Sequence, residues 1–198
     1  RSTLHESQLS PKVALVYSPF ANHTFRLTYN RAFQAPNYSE LYLSLLHPAK
    51  LLAYYGNSAL KVEKIGGLEF GYKGVLNASA FITIDAYYNE LSDFITDLSP
   101  GANPAYRGQE LINGQLRTVW SYGNAGKVTE TGAEVGANYY FTDAWSVGVN
   151  YAYFDFSIVE QSPGDPIQPN APRHKMNATI TYREARFEGS VGVKVMPS

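Results

Sequence analysis

Residues 24–30 read Thr24, Phe25, Arg26, Leu27, Thr28, Tyr29, Asn30, with every even position polar and every odd one apolar. A period of two sends successive side chains to opposite faces of an extended chain, so this segment is a strand with one greasy and one hydrated face. The same period recurs at 12–17, 67–73, 79–89, 130–139, 145–153, 175–182 and 187–195, which gives about eight strands. Helical spacing fits none of them. Only 41–55 could be argued as helix, and His47-Pro48 and Lys50 interrupt it.

The connections carry a second pattern. Segments 18–22, 74–78, 141–144 and 183–186 are short and built from turn-forming or polar residues, whereas 34–62, 97–115 and 157–172 are long. Short and long links alternate strictly, so all the long ones fall at one end. That arrangement predicts an all-β fold, an antiparallel transmembrane β-barrel with short periplasmic turns and long extracellular loops.

Aromatic placement supports lipid, rather than a protein core, as the partner of the apolar face. Tyr17, Phe20, Tyr72, Tyr139, Phe141, Trp145, Tyr182 and Phe187 crowd the short turns, as an interfacial girdle requires. The opposite face carries small and polar residues such as Gly132, Gly136, Asn138, Ser146, Gly148 and Asn150, which suit a hydrated lumen. Arg26, Glu69, Asp85, Glu130, Glu134 and Lys194 read as lumen-lining members of a polar network.

Other function classes find little footing. Lys+Arg 16 against Asp+Glu 17, with no charge runs, argues against nucleic acid, and Cys 0 removes thiol chemistry and disulfides. No apolar run reaches the roughly 18 residues of a spanning helix. Glu130 and Glu134 are too far apart along a strand, roughly 13 Å, for a two-carboxylate catalytic pair. The four histidines lack metal-ligand spacing, and Gly126-Lys127 lacks the Ser or Thr and first glycine of a phosphate loop. The chain is therefore expected to have no catalytic residues, no metal site and no cofactor. Four glycosylation-type triplets, beginning at Asn22, Asn37, Asn77 and Asn177, are chance matches in a chain rich in Asn and Thr.

Within 34–62, Tyr38, Tyr42, Tyr54, Tyr55 and His47 are candidates for ligand contact, because aromatic rings there could stack on a ligand. The equally weighted alternative is that Leu41, Leu43, Leu45, Leu46, Leu51 and Leu52 pack this loop into a small core of its own. Arg107, Trp120 and Tyr122 are weaker candidates of the same kind.

The segment from Arg26 to Tyr42, Arg-Leu-Thr-Tyr-Asn-Arg-Ala-Phe-Gln-Ala-Pro-Asn-Tyr-Ser-Glu-Leu-Tyr, resembles a characteristic stretch of TonB-dependent receptors. Residues 56–64, Gly-Asn-Ser-Ala-Leu-Lys-Val-Glu-Lys, are similar to that family's loop-to-strand signature, with Ser58 and Val62 where proline is usual. Segments 68–74, 86–89, 124–127, 132–134 and 170–175 continue the likeness in order. The resemblance implies an outer-membrane receptor that imports a scarce nutrient, a siderophore, vitamin or oligosaccharide, with energy delivered through TonB. It also implies that residues 1–198 are part of a barrel of roughly 22 strands, with the plug domain and terminal strands outside them. The rival expectation is a complete eight-stranded barrel with a structural or adhesion role.

Overall fold

The computed structural model describes residues 7–106, 108–161 and 171–197. Its elements run β1 (Lys12–Phe20), β2 (His23–Gln34), α1 (Tyr38–Tyr42), β3 (Ser44–Leu46), β4 (Leu52–Tyr55), β5 (Glu63–Asn77), β6 (Ala80–Ser92), β7 (Ser99–Pro100), β8 (Gln109–Ile112), β9 (Gln115–Ser121), β10 (Gly126–Tyr140), β11 (Trp145–Gln161), β12 (His174–Glu184) and β13 (Phe187–Val195). Eight long strands form one sheet in the order β1-β2-β5-β6-β10-β11-β12-β13, each antiparallel to its neighbour. These are the eight strands that the alternation predicts. Strands β1 and β13 are its two edges and do not pair with each other, so the sheet stays open. That geometry counts against the rival of a complete eight-stranded barrel.

The register aligns the alternating positions of neighbouring strands into rows that cross the sheet. One row runs Tyr17, Phe25, Tyr72, Ile84, Val135, Tyr151, Met176, Val195, one residue per strand and apolar or aromatic throughout. The adjacent row points the other way and runs Val16, Arg26, Gly71, Asp85, Glu134, Ala152, Lys175. A slip of one residue in any pairing would invert a strand's faces, so the alternation itself fixes the register.

The tight ends are closed by local chemistry. Asn77 accepts a hydrogen bond from the backbone of Ser79 at 2.8 Å, and the Thr142 hydroxyl accepts from Ala144 and Trp145 at 3.2 and 3.1 Å. Aromatic pairs collect there, Tyr139 with Phe141 at 5.1 Å and Trp145 with Tyr182 at 4.8 Å.

The long links are more structured than the sequence suggests. Segment 34–62 contains α1, β3 and β4, and its helix lies at 38–42 rather than through 41–55. Asn37 caps α1 reciprocally with Glu40, which anchors five residues that propensity alone would not hold helical. Segment 97–115 contains β7 and β8. Strand β9 falls between that segment and the next and was not anticipated, because its partners are other loops. It pairs parallel with β4 and antiparallel with β7 and β8, and the β8–β9 turn uses Asn113 (φ 51) and Gly114 (φ 73).

The buried apolar residues are Leu41, Ala53, Leu60, Val62, Ala102, Val119, Ala125 and Val128. All but Val128, at the start of β10, belong to the links, so the dry core lies over one end of the sheet. Gly56 seats α1 against this core, because a Cβ there would lie 2.5 Å from the backbone of Leu41 and Tyr42. A Cβ at Gly66 in β5 would meet nothing within 4 Å. Gly56→Ala should therefore loosen the α1 segment by about 1–3 kcal/mol, and limited proteolysis should cut 37–56 faster than in Gly66→Ala. Equal cleavage of the two variants would contradict this packing.

Candidate functional site

Two surfaces bring the candidate residues together: the polar face of the long sheet and the assembly of links above it. On the sheet, Arg26 and Asp85 lie on strands that flank β5 and face each other across Gly71. Their charged atoms approach to 3.7 Å, and a Cβ at Gly71 would come within 2.9 Å of the Asp85 carboxylate. Glycine thus clears a passage for an ion pair that spans three strands. Both side chains are about half exposed, at 51% and 52%, so the pair orients more than it stabilises.

The same device repeats along this face. Gly67 lies between Asn30 and Asn89, and the Tyr87 ring covers Gly132, where any Cβ would collide with it. Asn30 donates to Glu69 at 3.3 Å and Asn89 to Glu130 at 3.5 Å. Arg26, Glu69, Asp85, Tyr87, Asn89 and Glu130 border one open cavity of about 410 Å³. Glu134 adjoins it opposite Asp85. Lys194 shares the face but sits on edge strand β13, opposite Asn177, far from this group.

In the links, consecutive residues of β4 split the tyrosines between two faces. Leu45, Tyr54, Trp120 and Pro100 form one row of the small sheet, with Tyr54 and Trp120 ring centroids 6.4 Å apart. Tyr55 faces the other way and meets Tyr106 at 5.6 Å. Tyr38 and Tyr42 pair on α1 at 5.2 Å, with Tyr38 77% exposed. These aromatic residues form three separate pairs and no single cluster. His47 has a local role, since its Nδ1 accepts from the backbone of Ala49 and Lys50 at 3.2 and 3.0 Å and so shapes the β3–β4 turn. Of the six leucines proposed for a loop core, Leu41 is buried while Leu45 and Leu51 are exposed. Arg107 lies outside the described residues.

Residues that sequence reasoning did not single out hold the assembly. Arg117 Nη1 donates to the carbonyls of His47, Lys50 and Leu52 at 3.2, 3.3 and 3.4 Å. Asn57 donates to the Tyr122 carbonyl at 2.9 Å. Asn124 accepts from the Lys61 backbone at 2.9 Å and donates to the carbonyls of Lys61 and Asp93 at 3.2 and 2.6 Å, tying three connections to one another. The Tyr122 hydroxyl is pushed above the usual phenol range by burial and then by the carboxylates of Glu40 and Asp97, so it stays neutral. Among the described residues, no three of His, Asp or Glu group closely enough to hold a metal ion.

An open antiparallel sheet with one largely apolar and one largely polar face, tight turns at one end and folded links at the other, is the architecture of a section of a large β-barrel. The chain belongs to the TonB dependent receptor-like β-barrel family, whose model matches residues 1–196. Members of that family are outer-membrane transporters and receptors, not a class of enzymes. No curated protein matches the sequence. Among solved structures, the fold is similar to the copper transporter OprC, with TM-score 0.65, 19% identity and coverage of 94% of this chain and 26% of that one. It is similar also to the FrpB iron transporter from Neisseria meningitidis, with TM-score 0.66, 15% identity and coverage of 96% and 26%. A third similar structure is the siderophore receptor PirA from Pseudomonas aeruginosa, with TM-score 0.63, 16% identity and coverage of 93% and 34%. The chain thus spans about a quarter to a third of the length of these structures.

Replacing Asn124 by Ala strands the carbonyls of Lys61 and Asp93 and frees the Lys61 amide. The Asp93 carbonyl is half-buried and both Lys61 groups are exposed, so each lost hydrogen bond costs about 0.5–1.5 kcal/mol. Amide hydrogen exchange at Lys61 should accelerate about tenfold or more in Asn124→Ala while exchange within β5 and β10 stays slow. Unchanged protection at Lys61 would show that the tie is not needed.

Proposed function

We propose that this chain is part of the barrel of an outer-membrane receptor that captures a scarce small-molecule nutrient, such as a ferric siderophore, and imports it with energy delivered through TonB. A vitamin or an oligosaccharide is the alternative cargo. The observation that carries the reading is the two-faced register: an apolar and aromatic row crosses all eight strands, and the adjacent row, with Arg26, Asp85, Glu134 and Lys175, faces the other way. An apolar outer face exposed on every strand suits lipid and nothing aqueous.

On this reading Arg26, Glu69, Asp85, Glu130, Glu134 and Lys194 line the lumen. Tyr38, Tyr42, Tyr54, Tyr55 and Trp120 meet the ligand at the extracellular end, while His47 contributes by shaping its turn. The plug and the contact with TonB belong to other parts of the receptor. The names of the similar proteins, a copper transporter, an iron transporter and a siderophore receptor, support transport as the class of activity.

Val135 lies on the apolar face and Asn138 on the polar one. A charge on the lipid face near the bilayer midplane costs about 2–4 kcal/mol, so Val135→Arg should impair folding of the complete receptor into bilayers far more than Asn138→Arg. Equal folding yields would break the assignment of faces. In complete, assembled receptor, Ala at Tyr38, Tyr42, Tyr54 and Trp120 together should weaken ligand capture at least tenfold and leave barrel assembly intact. The readout is iron- and copper-dependent growth and uptake across a panel of ferric siderophores and copper salts. Uptake equal to wild type on every cargo would remove these links from the capture site.

A further inference from the structure

We propose that Arg31 and Lys64, with the open surface at Gly66, bind the phosphorylated headgroup of an outer-leaflet lipid. The inference rests on the reading that the apolar face meets lipid. On β2, β5 and β6 the uncharged positions of that face end at Tyr29, Leu68 and Tyr88, which lie side by side. Their row reaches Asp155 on β11, which pairs with Arg173 at 3.2 Å. The next two rows bring the first charges of β2, β5, β6 and β10: Arg31, Gly66, Glu90, Thr129, then Phe33, Lys64, Ser92, Lys127.

These charges are not equivalent. Lys127 engages Glu90 at 2.7 Å and also stands opposite Glu160, so its charge is taken up by two carboxylates and that corner is net negative. Among the described residues, Arg31 and Lys64 have no ion-pair partner. Arg31 stands directly opposite Gly66, and Lys64 opposite Phe33, which makes the two residues diagonal neighbours with backbones about 7–8 Å apart. Beside them the surface at Gly66 is open, because a Cβ there would touch nothing within 4 Å.

The site selects an amphiphile by what surrounds this opening. Two long basic side chains from diagonal positions can reach one anion, and Arg contributes a planar fork suited to phosphate. Directly below, Tyr29 and Tyr88 supply rings of the kind that settle at headgroup level, and Leu27, Leu68 and Phe70 continue as an apolar track for an acyl chain. A free phosphate would use the two cations and gain nothing from the track.

The test uses the complete receptor in detergent, titrated with bisphosphorylated lipid A and with the same glycolipid after phosphate removal, and read by native mass spectrometry. The expected result is clear preference for the phosphorylated form. Affinity should fall about fivefold for Arg31→Ala and for Lys64→Ala, the factor corresponding to about 1 kcal/mol per basic residue near an anionic surface. The control Arg186→Ala, in the turn at the opposite end, should leave binding unchanged. Equal binding of both glycolipids, wild-type affinity in the Arg31→Ala/Lys64→Ala double variant, or displacement by millimolar inorganic phosphate would each overturn the proposal. Brominated-lipid quenching of a fluorophore placed at Leu68 reports separately on whether this face meets lipid, so failure of the underlying reading is distinguishable from failure of the site.

Discussion

A backbone amide in hydrocarbon has no water to turn to, and every other feature of this protein is arranged around that fact. An unpaired N–H or C=O there costs several kcal/mol, so an isolated strand cannot cross a bilayer and a sheet can do so only where its neighbours complete the ladder. The eight long strands meet this demand through continuous antiparallel pairing from β1 to β13. Pairing leaves the side chains free to serve two surroundings, which is why Val135 and Glu134 can be neighbours in sequence and still lie on the apolar and the polar face respectively.

The polar face shows how such a sheet can carry large interior groups without bending. Glycine sits beside a bulky partner again and again: Gly71 between Arg26 and Asp85, Gly67 between Asn30 and Asn89, Gly132 under Tyr87. Each glycine gives up packing and backbone rigidity and in exchange lets a neighbouring side chain lie across the strand. The result is a wall whose polar groups hold one another in place while the cavity beside them stays open.

Stability of the links has a different origin. The long sheet buries almost no apolar side chains within itself, and its apolar face stands exposed. The links, standing in water, build a small core of their own from Leu41, Ala53, Leu60, Val62, Val119 and Ala125. That core is thin, so polar ties share the task. Arg117, Asn57 and Asn124 satisfy backbone carbonyls that short, irregular connections would otherwise leave without partners. The same economy explains why aromatic rings remain available on the surface: few apolar side chains suffice to hold the frame, and Tyr38 and Tyr42 need not be spent on it.

Alternation determined much of this by itself. Where one face of a strand meets lipid and the other water, burial has a strict period of two, and that is why all eight long strands, their faces and their tight ends could be read directly from residues such as 24–30. The period fades where both faces are wet, so the upper parts of β10 and β11, from Gly126 and out to Gln161, extend beyond what the pattern marked. Only the tertiary structure decided the rest. Asn113-Gly114 marks the β8–β9 hairpin locally, but no local signal encodes the parallel partner β4, whose Leu52 stands opposite Thr118, 66 residues on. The candidate ligand aromatics were legible as residue types, but their separation into Tyr54 with Trp120, Tyr55 with Tyr106 and Tyr38 with Tyr42 depends on which way each ring points. Asn124 lay in plain view inside a family-like segment, yet its task follows from the meeting of Lys61 and Asp93, contacts between links that the sequence keeps far apart.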